Sequence, residues 1–171
     1  FLGGIGACAR LAYDFLPPDV EPLSEENVII IGTGVLTGTS APGCSKIPLM
    51  TKWPATGTIE AGSVGSAFGP NLKWAGYDFL VIKGKSDDPV YLLIEDENVR
   101  LCSAVQYWGR DIYETTDELW QRHGEDSAVL AIGQAGENLV KTSIALVDKV
   151  STIGKGGLGA LMGYKKLKAI V

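Results

Sequence analysis

The chain has 171 residues, 46% of them apolar and 20% charged, with a formal net charge of -5. That length and apolar content suffice to bury one core, while the acidic balance and the lack of any Lys/Arg-rich run argue against a nucleic-acid partner. No apolar stretch approaches the ~20 residues of a membrane span, and residues 1–16 carry Arg10 and Asp14 without the basic start of a signal peptide, so the expected compartment is the cytosol.

In chain order, Ile5, Cys8, Ala9, Ala12 and Leu16 recur at helical spacing, which predicts a helix over residues 2–15, opened after Gly3-Gly4 and stopped by Pro17-Pro18. The β-branched run at 27–31, closed by Gly32-Thr33-Gly34, predicts a buried strand, and 46–51 a second extended segment ended by Trp53-Pro54. Residues 77–83 and 89–95 both read as strands, and the loop between them predicts an antiparallel hairpin. Residues 99–104 continue as a third strand. An amphipathic helix is predicted over 113–123, ended by Gly124; strands follow at 128–132 and 142–146. Residues 156–165 read as a helix whose basic end, Lys165 to Lys168, suits the helix dipole. Val28 to Gly34 and Val129 to Gly136 are both apolar strands entering a glycine turn, a hint of internal duplication. The expected class is α+β in one domain.

Few residues announce chemistry. Cys8, Cys44 and Cys102 are too scattered for a disulfide framework or a CxxC metal site, and buried structural thiols are expected. His123, the single histidine, ends a helix and is expected to be solvated or to cap that helix rather than to act as a base. The 22 glycines cluster at Gly3-Gly4, at Gly32/Gly34/Gly38, at Gly62/Gly65/Gly69 and from Gly154 to Gly163. Bare backbone admits a ligand closely and offers N–H groups to anions, so repeated clusters point to a phosphate-bearing ligand, although any one of them also serves as a turn or packing point. Gly154 to Gly159 spells GxGxxG, but too near the chain end for the acidic residue ~20 positions later that a dinucleotide fold requires.

Longer strings go further. Gly69-Pro70 followed by Asn71-Leu72-Lys73-Trp74-Ala75-Gly76-Tyr77-Asp78 resembles the GP-x-LK-x-AGYD signature of the aldehyde:ferredoxin oxidoreductase family. Phe1-Leu2-Gly3-Gly4, Glu26-Asn27, Thr33-Gly34, Leu36-Thr37-Gly38-Thr39, Ala41-Pro42-Gly43, Ala135-Gly136-Glu137-Asn138-Leu139-Val140 and Gly156-Gly157-Leu158-Gly159-Ala160-Leu161-Met162-Gly163 match the same family in order along essentially the whole chain. The resemblance implies two β-sheets packed together with flanking helices. It implies a saddle for a bis-pyranopterin cofactor of tungsten or molybdenum, with Mg2+ bridging the two pterin phosphates. It also implies oxidation of aldehydes to carboxylic acids with ferredoxin or another electron-transfer subunit as partner, or action on an aromatic acyl-CoA, in a homo- or hetero-oligomer. Residues 1–171 are then the N-terminal, pterin-binding domain. A first residue other than Met and a closing apolar run fit a piece of a longer chain whose [4Fe-4S] and substrate domains lie outside it.

Position by position, the resemblance puts the phosphate-contacting cation at Lys46, behind Pro42-Gly43-Cys44-Ser45. It puts pterin and magnesium contacts at Ser63 and Gly65, and further cofactor contacts at Ser151, Thr152, Gly154, Lys155 and Gly156, the carbonyls of Ser63 and Thr152 serving Mg2+. No catalytic residue is implied. Lys46 and Lys155 stand for arginines, Ser151 for another, and Ile5 where arginine is common; lysine keeps the charge without the planar fork, and serine and isoleucine lose it. Contacts are therefore expected to be mostly backbone. The lost arginines also leave open a non-catalytic scaffold in a larger redox complex. Valine at Gly65 or Gly156 is expected to abolish cofactor loading and to leave the fold soluble.

Overall fold

The structure, a computed structural model, describes residues 2–171; Phe1, which opens the first family string, lies outside the described residues. The chain folds as α1 (Gly4–Phe15), β1 (Ile29–Gly32), β2 (Lys46–Lys52), β3 (Ile59–Gly65), α2 (Phe68–Trp74), β4 (Phe79–Ile82), β5 (Val90–Glu95), β6 (Asn98–Ser103), α3 (Ile112–His123), β7 (Leu130–Ile132), α4 (Gln134–Glu137), β8 (Ala145–Val147), β9 (Ser151–Ile153), α5 (Leu158–Tyr164) and β10 (Leu167–Ile170). Two sheets result, of order β3-β2-β1-β4 and β6-β5-β10-β7-β8-β9. Side chains from both fill a shared core: Ile29, Ile31, Leu49, Trp53 and Leu80 from one, Leu130, Ile132, Val147, Leu167 and Ile170 from the other.

The sheets repeat one connectivity. In the first, β1 pairs antiparallel with β2, β2 with β3, and the chain returns through α2 to put β4 antiparallel on the other side of β1. In the second, β7, β8 and β9 form the same meander, and the chain returns through α5 to put β10 antiparallel to β7. The strands that suggested a duplication, β1 and β7, hold the same place in each unit. The third strands, β3 and β9, each form one edge of their sheet, and they lie against each other.

The expected hairpin of residues 77–83 and 89–95 does not form. β4 pairs with β1, while β5 runs parallel to β10 and antiparallel to β6. The cause is burial: Leu80 and Ile82 of β4 and Leu92 and Ile94 of β5 pack into one core from opposite layers, so the loop between them crosses from sheet to sheet. Lys165 secures that crossing. Its ammonium, 3% exposed, donates to the carbonyls of Gly84 (2.8 Å) and Glu25 (3.2 Å), and burial lowers its pKa to about 8. Lys168 is fully buried and donates to the Arg110 carbonyl at 2.8 Å and to Glu137 Oε1 at 2.5 Å. Lys165 is also the C-cap of α5, and both lysines serve as internal ties.

Three elements carry no clear sequence signal. β3 contains two glycines and a weak apolar alternation, α2 carries Gly69, Pro70 and Asn71 in seven residues, and β9 is three residues long. α3, by contrast, follows its pattern and is capped by Asp111, whose Oδ1 accepts from the Glu114 N–H at 2.8 Å. Its last residue, His123, is half-buried: Nε2 lies 3.0 Å from the Tyr91 hydroxyl, and burial lowers its pKa. Cys8 is fully buried against Gly32, and burial pushes its thiol up to about 11.

Candidate functional site

The edge where β3 meets β9 gathers the residues that the sequence nominated. Lys46 opens β2 and is exposed; its register partner across the strand pair is Gly65. Trp53 N–H donates to the Thr58 carbonyl at 2.9 Å, and from that bonded pair hydrogen bonding alternates along β2 and β3. The alternation turns the backbone N–H and C=O of Ser63 toward the free edge, and the residue opposite it, Pro48, lacks an N–H. On β9, Ser151 is half-buried and Thr152 exposed, with Gly154 and Lys155 exposed just beyond the strand.

The repeated connectivity relates the two groups. Ser63, Val64 and Gly65 close the third strand of the first unit; Thr152 and Ile153 close that of the second with Gly154 directly after it, and Val64 and Ile153 are both buried. Extending the β8–β9 register by one pair sets Ile144 opposite Gly154, as Lys46 stands opposite Gly65. A side-chain carbon of each partner indeed lies nearest the position a Cβ would take: Lys46 Cγ at 3.5 Å from that of Gly65, Ile144 Cγ2 at 3.7 Å from that of Gly154. Charge is not conserved between the units. Lys46 faces the first edge glycine, an isoleucine faces the second, and the cation on the second side is Lys155, one residue beyond that glycine.

The glycines divide into two kinds. At Gly156, which has φ +75°, an added Cβ would lie 2.3 Å from the Trp53 ring; at Gly157, φ +82°, 1.8 Å from the Lys141 carbonyl oxygen; at Gly163, 2.0 Å from that of Gly136. These are packing glycines, and valine at Gly156 breaks the core instead of leaving it soluble. Outside α1, Gly65 and Gly154 alone combine an ordinary φ with no neighbour closer than 3.4 Å. Nothing in the fold forbids a side chain at either.

The two units are sewn together here. Trp53, fully buried, lies under Gly156 and donates its indole N–H to the Glu60 carbonyl at 2.8 Å, and the Ala55 N–H donates to the Gly156 carbonyl at 3.0 Å. Lys155 Nζ pairs with Glu60 Oε2 at 2.5 Å, and the Thr58 hydroxyl donates to Glu60 Oε1 at 2.6 Å. The hydrogen bonds from Lys155 and Thr58 hold the Glu60 carboxyl below its usual range. Glu60 was not nominated from sequence, because its part depends on β3 being an edge strand and on the opposite unit supplying Lys155. Among the described residues no group of three or more His, Cys, Asp or Glu side chains could hold a metal ion, and no helix is long and apolar enough to cross a membrane.

The family model described as "Aldehyde ferredoxin oxidoreductase, N-terminal domain" matches residues 1–171. The chain is 43% identical over 171 residues to the tungsten-containing aldehyde ferredoxin oxidoreductase of Pyrococcus furiosus, covering 99% of this chain and 28% of that protein. A second protein of Pyrococcus furiosus, "Aliphatic sulfonate oxidoreductase, WOR-like subunit", is 36% identical over 165 residues, covering 89% of this chain and 26% of its own. Among solved structures, a chain of the active site complex BamBC of benzoyl coenzyme A reductase in complex with 1,5 dienoyl-CoA superposes with a TM-score of 0.93 at 39% identity, covering 99% of this chain and 26% of that one. The chain thus spans about a quarter of the length of each.

Proposed function

The chain belongs to the aldehyde ferredoxin oxidoreductase family, as its N-terminal domain, and from that premise we propose that its β3–β9 edge holds a tungsten or molybdenum bis-pyranopterin cofactor through the two phosphates. The observation that carries this reading is the pair Gly65, at the end of β3, and Gly154, directly after β9, both bare although the fold leaves room for side chains. A ligand approaching both edges supplies the missing reason for glycine. The donor set fits a bridged pair of phosphates: outward backbone at Ser63 on β3, the backbone of Thr152 on β9, Lys46 beside one glycine and Lys155 after the other. The carbonyls of Ser63 and Thr152 suit Mg2+, a hard ion that takes oxygen ligands and tolerates backbone donors alongside phosphate. Ser151 and the N–H of Gly156 complete the second side.

When bound, the metal and pterin supply the redox chemistry. This domain's own residues bind and orient: Lys46 and Lys155 neutralise phosphate charge, the edge backbone fixes position, and Trp53 beneath Gly156 keeps the two edges in register. In the whole protein we infer oxidation of an aldehyde to a carboxylic acid, with electrons passed through a [4Fe-4S] cluster outside this domain to ferredoxin or another electron-transfer subunit, in the cytosol, as part of a homo- or hetero-oligomer. Action on an aromatic acyl-CoA is the other substrate class, supported by the benzoyl-CoA reductase complex among the similar structures. Metal analysis and fluorescence of released, oxidised pterin, on full-length protein from a host able to make the cofactor, test the reading. We expect tungsten or molybdenum together with pterin; protein free of both metals would sink it. That same result would favour a non-catalytic scaffold, the reading suggested by Lys46, Ser151 and Ile5 standing where the family carries arginines.

A further inference from the structure

Of the two lysines at this edge, Lys46 makes no ion pair among the described residues, whereas Lys155 is engaged by Glu60 across the boundary between the two units. The two partners are held unequally. Glu60 is anchored three ways: its carbonyl by the Trp53 indole, one carboxylate oxygen by the Thr58 hydroxyl, and its backbone within β3. Lys155 sits in a loop between Gly154 and Gly156, its side chain 55% exposed, with Glu60 as its single ion-pair partner among the described residues. An arriving phosphate therefore moves the lysine and not the glutamate. A carboxylate beside the ammonium cancels its charge toward an incoming anion, so part of the attraction for phosphate is spent on separating the pair.

We propose that Glu60 is the resident counter-ion of Lys155: it holds the lysine while no phosphate is present, yields it to the phosphate on loading, and thereby sets how tightly the second edge binds phosphate. This rests on the phosphate reading of the edge. Thr58 remains to satisfy Glu60 after the exchange, so the glutamate keeps a donor when it loses the lysine.

The test is a double-mutant cycle on cofactor-free full-length protein, with pyrophosphate as the probe and titration calorimetry at low salt as the measurement. Glu60→Gln should bind pyrophosphate roughly two- to fivefold tighter than wild type, the range an exposed ion pair implies. Lys155→Met should bind more weakly, and Glu60→Gln added to Lys155→Met should change nothing further. Thermal unfolding of the same four proteins checks that each is folded. The idea is overturned if Glu60→Gln binds no tighter, if its gain persists without Lys155, or if none of the four binds pyrophosphate. Wild-type protein that carries metal and pterin while Glu60→Gln fails to tighten pyrophosphate would remove the counter-ion role and leave the phosphate reading standing; wild type without metal and pterin would remove the reading itself.

Discussion

The two repeated units solve one problem with different means. Both carry an uncrowded glycine at or directly after the end of the third strand, yet near it the first unit sets one glycine, Gly69, tight against backbone, at the Ser45 carbonyl, whereas the second surrounds its edge with several glycines that touch backbone. Gly159 packs against Ile144 and Ser143, and Gly163 against Gly136; behind them lies the buried Lys168–Glu137 pair, 0% and 5% exposed. The difference teaches that glycine richness in the closing stretch is mostly a packing requirement, while the two glycines nominated for the ligand on structural grounds lie one in each unit.

Substitutions should separate the two kinds sharply. The largest effect is expected at Gly157→Ala, where both the positive φ and the Lys141 carbonyl oppose a side chain; we expect a loss of more than about 4 kcal/mol, visible as failure to fold or a large drop in melting temperature. Next, Lys168→Met strands Glu137 in the interior and should cost about 3 kcal/mol in denaturant unfolding, although Glu137 keeps the Gly109 N–H at 2.8 Å. At Gly65 or Gly154, valine should change stability by no more than roughly 0.5 kcal/mol while removing most bound tungsten or molybdenum. Equal instability at Gly65 and Gly157 would erase the distinction between the two kinds of glycine. The smallest effect is a slope. Lys165 titrates near 8 when folded and at its ordinary value of 10.5 when unfolded, so between those values the unfolded chain binds more protons. Folding stability from this group is then flat below pH 8 and rises from about pH 8 to 10.5; Lys165→Met should remove that rise from the difference between wild-type and variant melting curves.

Much of this was legible in the residues. The β-branched run before Gly32, the extended segment from Lys46 and the capped amphipathic α3 form where their patterns put them, because each buries a continuous apolar face. The hairpin expectation failed for a nonlocal reason: the partners of β4 and β5 are strands distant in sequence, and no local turn signal reports that. β3 was unreadable because edge strands that expose backbone to a ligand lack the dense apolar alternation by which strands are recognised. The family strings nominated both edge glycines, but only the space around Gly65 and Gly154 distinguishes them from Gly156 and Gly157. Glu60 left no mark in the sequence, since its partner is 95 positions away and belongs to the other unit.

Trp53 lends itself to a further use. Its ring belongs to one repeated unit and its cover, Gly156, to the other, so neither unit can be excised without baring an indole to water. The arrangement is that of two units of like connectivity fused into one polypeptide, whose sides are free to diverge, lysine facing one edge glycine and isoleucine the other. It also furnishes a natural reporter, because any parting of the two units must shift the emission of this buried tryptophan before the rest of the core responds.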